Sequence, residues 1–121
     1  MDVRVVDLAG KFAAFDDPWR PRIVAELNGS HVKVVKLAGE FVWHHHDDED
    51  ELFLVVDGVL RMQLRDGELE VRPGQFVVIP KGLEHRPVAD GVVQVVLIEP
   101  ATTLNTGNVR DERTVDAPEW I

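Results

Sequence analysis

Short runs of apolar, often β-branched residues alternate with turn signals along most of the chain. The clearest of these runs lie at 22–27, 30–37, 52–56, 75–79 and 92–98. The first two flank Asn28-Gly29, a residue pair that suits the positive φ angles of a two-residue hairpin turn. The last run is apolar almost throughout, which is typical of a central strand covered on both faces. This pattern predicts an all-β sandwich or barrel with little helix.

A second hairpin is predicted to turn at Asp66-Gly67. With a two-residue loop at that place, Leu64 faces Leu69 across the hairpin, and polar residues of the two strands face each other on the opposite side. The predicted register therefore separates an apolar face from a solvated one.

The most distinctive stretch is a run of histidines at 44–46 followed directly by acidic residues at 47–51. Alternate side chains of an extended strand share one face, so His44 and His46 point together while Trp43 and His45 point the other way. Two imidazoles on one face indicate a site for a divalent ion such as Fe, Mn, Ni, Co or Zn. These ions accept neutral imidazole together with a carboxylate.

Glu51 and His85 fit as the remaining ligands. Glu51 opens the apolar run at 52–56, where a strand would hold its carboxylate in a fixed direction, and His85 follows a turn sequence that ends a separate strand. Burying three imidazoles and a carboxylate together without a metal ion would be costly. His31 and His45 are interpreted as structural residues. The acidic residues before Glu51 are interpreted as a solvated turn, with a second, hard-cation site as the alternative.

Composition limits the function classes. A chain of 121 residues with 45% hydrophobic content suffices for one domain core. The net charge of −9 argues against nucleic-acid and anionic-membrane partners. The sequence contains no cysteine, its first residues lack a secretory signal pattern, and no apolar run approaches the roughly 20 residues of a membrane-spanning helix. The expected location is the cytoplasm.

Two motifs include the four candidate ligands. The first combines a Gly, a His-x-His, an acid and a second Gly, here Gly39, His44, His46, Glu51 and Gly58. The second consists of Gly74, Pro80, Gly82 and His85. Together they resemble the two signature motifs of the cupin superfamily. Gly39 lies one residue closer to the first His than is usual, and Ala89 stands where the family often has an Asn that is not a ligand. The chain looks like the small single-domain cupins often labelled mannose-6-phosphate-isomerase-like.

The resemblance implies one cupin domain over residues 1–121, an all-β jelly-roll barrel with its core at about 22–99 and short arms at 1–21 and 100–121. It also implies one divalent metal ion per chain, held by His44, His46, Glu51 and His85. Phe53 and Met62 lie on predicted apolar faces and are candidate residues of a substrate pocket, with core packing as the alternative.

Four protein ligands around an octahedral ion leave two adjacent positions open. We therefore expect a metal-dependent oxygenase, isomerase or lyase that acts on a small molecule chelating through two oxygens. The alternative is a non-catalytic barrel that binds a small molecule, and the sequence identifies no catalytic acid or base. Aromatic residues of the arms, such as Phe12, Phe15 and Trp19, are expected to pack on the barrel or on a partner subunit of a homodimer. A partly disordered tail is the alternative.

Overall fold

A computed structural model describes residues 3–121, and within them lie one short helix and a sheet of seven strands. The elements are α1 (Leu8–Ala13), β1 (Arg22–Leu27), β2 (Ser30–Glu40), β3 (Glu51–Asp57), β4 (Leu60–Leu64), β5 (Gly67–Val71), β6 (Phe76–Ile79) and β7 (His85–Pro100). All strand pairs are antiparallel. The prediction of an all-β fold with little helix is confirmed.

The long strand β7 organises the sheet. Its second half lies between β2 and β3, and its first half pairs with β4, which continues to β5. Gly91, at φ 79°, marks the bend between the two halves. The expected central strand at 92–98 is confirmed, except that Val92 is 59% exposed because it directly follows this bend.

The first predicted hairpin is confirmed. Leu27 pairs with Ser30, and the two residues between them have positive φ angles, 46° at Asn28 and 77° at Gly29. Asn and Gly tolerate this left-handed region better than other residues do. The turn therefore fixes the register between β1 and β2.

The register predicted for the second hairpin was wrong. Met62 pairs with Leu69, and Gly67 belongs to β5, so the loop consists of Arg65 and Asp66. The guanidinium of Arg65 stacks over Trp43 at 3.9 Å, a contact that local sequence does not encode. A shift by two residues returns every side chain to its predicted face, so the apolar and solvated sides are kept.

Two apolar clusters lie on opposite sides of the sheet. The inner cluster fills the barrel and includes Phe53, Met62 and Trp19, whose indole stacks on Phe41 with ring centroids 4.6 Å apart. The outer cluster is formed where α1 and the chain end cover β2 and β7, and its buried members are Phe12, Phe15, Val34 and Val96. The N-terminal aromatic residues thus pack on their own chain. Within residues 3–121, no helix has the length and apolarity to cross a membrane.

Candidate metal centre

Backbone pairing brings the two sequence motifs together. The amide of His44 donates to the carbonyl of His85 at 3.1 Å, and the amide of His85 donates back at 2.9 Å. This isolated bridge places the two rings on one face with centroids 4.3 Å apart. The turn that precedes His85 is also held against the histidine run, because the amide of Gly82 donates to the carbonyl of His46 at 2.7 Å. Glu51 enters the same space as the first residue of β3.

The four predicted ligands form one buried cluster. His44, His46, Glu51 and His85 are each at most 3% exposed, and their candidate ligand atoms all lie within 4.8 Å of one another. Ligands bound at about 2.1 Å to one ion are separated by at most about 4.2 Å. The cluster therefore needs only a small contraction to hold a divalent ion.

Hydrogen bonds fix the tautomers of two rings. Nδ1 of His44 donates to the carbonyl of Val42, and Nδ1 of His85 donates to the carbonyl of Leu83, each at 2.9 Å. Because a carbonyl only accepts, Nδ1 of each ring carries a hydrogen, and in the neutral ring it is Nε2 that presents its lone pair to the cluster. A carbonyl behind each ring is the usual support of a metal-binding imidazole.

Four atoms of the cluster residues have no hydrogen-bond partner in the described part of the chain: Nδ1 and Nε2 of His46, Oε1 of Glu51 and Nε2 of His85. Oε1 of Glu51 lies 2.8 Å from Nε2 of His46 and 3.3 Å from Nε2 of His85. Buried polar atoms without partners are rare in native proteins. Neutral imidazoles with a carboxylate are a donor set for first-row divalent ions, so these residues fit a metal ion.

The electrostatics of the cluster centre on its carboxylate. Burial opposes ionisation of Glu51, but the nitrogens of His46 and His85 outweigh burial and hold its pKa well below the usual range. Burial and then the charge of Glu51 raise the pKa of the neighbouring Glu99 well above its usual range. The anionic charge beside the imidazoles therefore belongs to Glu51.

Acid is expected to destabilise the metal-free protein through His44. Burial, followed by repulsion from His85, lowers the pKa of His44 to about 4. The unfolded chain takes up this proton near pH 6.5, so stability is fully present above that pH and falls as the pH drops toward 4. The loss reaches up to about 3 kcal/mol. Urea unfolding of chelator-treated protein at several pH values measures it.

The matched comparison for this prediction is His44→Gln, which has no titrating ring. Its unfolding free energy should change less than that of wild type between pH 6.5 and 4.5. Parallel pH curves for the two proteins would remove His44 as the source of the effect.

A small cavity opens beside the cluster. Its lining residues are Trp19, Pro21, Val35, Leu37, Phe41, His44, Glu51, Phe53, Pro87, Leu97 and Asn105. The space available to solvent is about 30 Å³, which is enough for one or two water molecules. Trp19 forms part of the wall at a positive φ of 65°, where its indole nitrogen donates to the carbonyl of Ala38 at 2.8 Å.

Of the two predicted pocket residues, Phe53 lines this cavity, and Met62 is fully buried in the inner cluster away from it. His45 points outward, and its ring contacts Asp47 at 2.9 Å. His31 is half-buried and packs edge-on against Trp120.

The acidic turn before Glu51 does not converge on one point. Asp50 accepts from the amide of Lys81, and Glu49 accepts from the hydroxyl of Thr102. In the described residues, the His-His-Glu-His group is the cluster that could hold a metal ion.

Sequence reasoning missed four residues around the centre. Trp19 and Asn105 line the cavity, and Lys33 and Glu99 lie buried in the barrel near Glu51. A signal existed for the last two, because each alternates in phase with inward-facing apolar residues of its strand. Asn105 lies in an irregular segment, and the sequence carries no pattern that places it here.

Comparison with known proteins agrees with this geometry. A family model described as "Cupin domain" matches residues 31–99. The crystal structure of a cupin-2 domain containing protein from Shewanella frigidimarina superposes with a TM-score of 0.78 at 44% identity, covering 79% of this chain and 94% of that one. Protein NMB1881 from Neisseria meningitidis gives a TM-score of 0.74 at 31% identity, covering 81% of this chain and 100% of that one.

A curated relative, "Uncharacterized protein YdbB" of Bacillus subtilis, is 41% identical over 64 residues. The match spans 52% of this chain and 57% of that protein, so it covers little more than half of the relative's length. The matched family region contains the whole His-His-Glu-His cluster and most of the sheet that surrounds it. The chain therefore belongs to the cupin superfamily, with the jelly-roll fold of that family and a buried cluster that could bind a metal ion.

Proposed function

We propose that this protein binds one divalent metal ion and that its ligands are His44, His46, Glu51 and His85. The observation that carries the proposal is the group of buried, unpartnered atoms that face one another within this cluster. The carbonyls behind His44 and His85 support the proposal, because they present the Nε2 lone pairs to a shared point. Fe, Mn, Ni, Co and Zn all suit this donor set.

We further propose that a small molecule chelates the bound ion through two oxygens and that only a small part of this molecule occupies the cavity, whose free volume is about 30 Å³. A bound divalent ion supplies Lewis acidity and, when redox-active, access to dioxygen chemistry. The protein contributes the shape and polarity of the surroundings. Among the residues that the structure describes, the cavity walls are apolar apart from His44, Glu51 and Asn105, and they include no Lys or Arg. These walls favour an apolar group of the ligand at this place and disfavour a phosphate group.

The polar groups of the cavity walls support one of the reaction classes that the sequence left open over the others. Isomerases and lyases need a group that moves a proton, and such groups are usually His, Asp, Glu, Lys or Tyr. The one amide in the wall is already engaged: Asn105 donates to the carbonyl of Arg113 at 2.8 Å and accepts from the amide of Val115 at 2.9 Å. An oxygenase is therefore the favoured enzyme class. In the described walls, the acid and base groups are the candidate ligands His44 and Glu51 alone, which also supports the alternative, a non-catalytic binding barrel.

Elemental analysis of protein purified without a His tag or chelating resin tests the proposal. We expect about one ion of Fe, Mn or another first-row metal per chain. Oxygen uptake with small diketones or hydroxy ketones would then indicate an oxygenase, and binding of these probes without uptake would indicate the non-catalytic barrel. Protein that lacks metal and takes none up on reconstitution would refute the metal site.

A homodimer remains part of the proposal. Phe76 and Val78 on the strand β6 are 61% and 49% exposed, and apolar side chains on one strand are suited to contact another subunit. A monomer mass by light scattering at working concentration would contradict it. The cytoplasmic location stays a prediction from the sequence.

A further inference from the structure

Two charged side chains inside the barrel have no part in the function proposed above. Lys33 on β2 is 1% exposed and Glu99 on β7 is 2% exposed. Nζ of Lys33 lies 3.3 Å from Oε1 of Glu99. Lys and Glu are almost never fully buried unless paired, because burial costs them their hydration. A buried Lys–Glu pair often stabilises a fold no better than apolar residues of similar volume, so its presence here favours a role beyond folding.

Strand pairing connects the Lys33–Glu99 pair to the candidate metal centre. Leu52 on β3 pairs with Ile98 on β7, so one position further along the antiparallel register Glu51 lies opposite Glu99. The carboxyl groups of Glu51 and Glu99 are close enough for each to shift the pKa of the other. Three buried polar side chains, Lys33, Glu99 and Glu51, therefore follow one another across three neighbouring strands.

The neighbouring Glu99 side chain can affect the orientation of the Glu51 carboxylate. Oε1 of Glu51 faces the Nε2 atoms of His46 and His85 at 2.8 and 3.3 Å. A carboxylate that contacts no side chain beyond the metal ligands can rotate, and it can then bind a metal through either oxygen or through both. A contact with a neighbouring side chain that is not itself a ligand restricts that rotation, as such neighbours of metal ligands generally do.

We propose that the Lys33–Glu99 pair is a positioning element that holds Glu51 so that it offers one oxygen to the metal site. Lys33 fixes the Glu99 carboxyl group, and Glu99 in turn fixes Glu51. Binding through one oxygen leaves two adjacent positions of an octahedral ion for a chelating molecule. This role rests on the proposed metal site.

Two substitutions of Glu99 test the role in the full, untagged chain loaded with Co²⁺. Glu99→Leu removes the contact to Glu51, and we expect Co²⁺ affinity to fall about 10- to 100-fold, with a change in the Co²⁺ absorption bands. Glu99→Gln keeps the volume and can both accept from Lys33 and donate to Glu51. Its affinity should stay within about threefold of wild type, because a polar side chain of the same size remains beside Glu51. Chelator competition measures the affinities.

Val95→Ala is the matched control for general damage to the barrel. Val95 lies on the same inward face of β7, is fully buried and does not line the cavity. It should lower stability without changing Co²⁺ affinity or the absorption bands. Unchanged affinity and spectrum in Glu99→Leu would overturn the positioning role, as would an equal loss in Glu99→Gln. Failure of wild type to bind Co²⁺ at all would refute the proposed function and this role with it.

Discussion

Replacing His44 and His46 together with Ala should abolish metal binding and leave the barrel folded. Metal content should fall from about one ion per chain to below about 0.1, because two of four ligands are lost. The fold should survive because the pairing of His44 with His85 uses backbone atoms, which the substitution keeps. Elemental analysis gives the metal content, and circular dichroism checks the fold.

His45→Ala is the matched control for this double substitution, because it removes the histidine between the two. The side chain of His45 is 29% exposed and contacts Asp47 rather than the cluster. Its removal should leave metal content unchanged, since the ring faces away from the site. Full metal occupancy in the double variant, or a large loss in His45→Ala, would contradict the ligand assignment.

Glu51→Gln separates charge from shape at the same centre. The amide nearly keeps the volume of the carboxylate, so the barrel should fold, whereas the loss of negative charge should weaken metal binding. Unchanged metal content would remove Glu51 from the ligand set.

Strand alternation explains why the common face of the candidate ligands was predictable from sequence. Burial alternates along 43–46 as an extended backbone requires, with His44 and His46 inside and Trp43 and His45 only half-buried. The same rule put Glu51 and Phe53 on the inner face of β3. Local periodicity determines which face a side chain occupies, and it suffices wherever a strand keeps a regular register.

Contacts between distant parts of the chain were not predictable in this way. The loop at Arg65 and Asp66 differs from the expected turn, and Arg65 contacts Trp43 and Glu84 from other segments. Likewise, alternation along their strands places Lys33 and Glu99 on the inner face, but the contact between them depends on the register of β2 with β7. A periodic pattern indicates which face a side chain occupies and where turns lie, but it does not indicate which group a polar side chain will contact.

The C-terminal segment is the clearest case of such a long-range contact. The amide of Asn108 donates to the carbonyl of His45 at 3.0 Å, and the amide of His45 donates to the Asn108 side chain at 2.8 Å. These bonds hold the segment against the backbone of the histidine run. Gly107, next to them, packs so closely that a Cβ atom there would lie 2.2 Å from the His45 carbonyl oxygen and 3.1 Å from the His44 ring.

Gly107→Ala should therefore both destabilise the protein and weaken the metal site. The new methyl group overlaps backbone, which cannot rotate away, and Gly107 has a positive φ of 58° that costs Ala further. We expect a loss of about 2–4 kcal/mol in unfolding free energy. Metal affinity should fall about tenfold, because the segment moves away from His44 and His45. Urea unfolding and chelator competition measure the two effects.

Gly29→Ala isolates the steric part of this effect. Gly29 has a similar positive φ of 77°, but nothing lies within 4 Å of a Cβ atom built there. This variant should lose only the part of the unfolding free energy that comes from the positive φ, about 1 kcal/mol. It should keep wild-type metal affinity, because the residues of the β1–β2 turn are neither candidate ligands nor cavity residues. The difference between the two variants then measures how closely the C-terminal segment packs against the histidine run. Equal losses in both would mean that the segment does not restrain the metal centre.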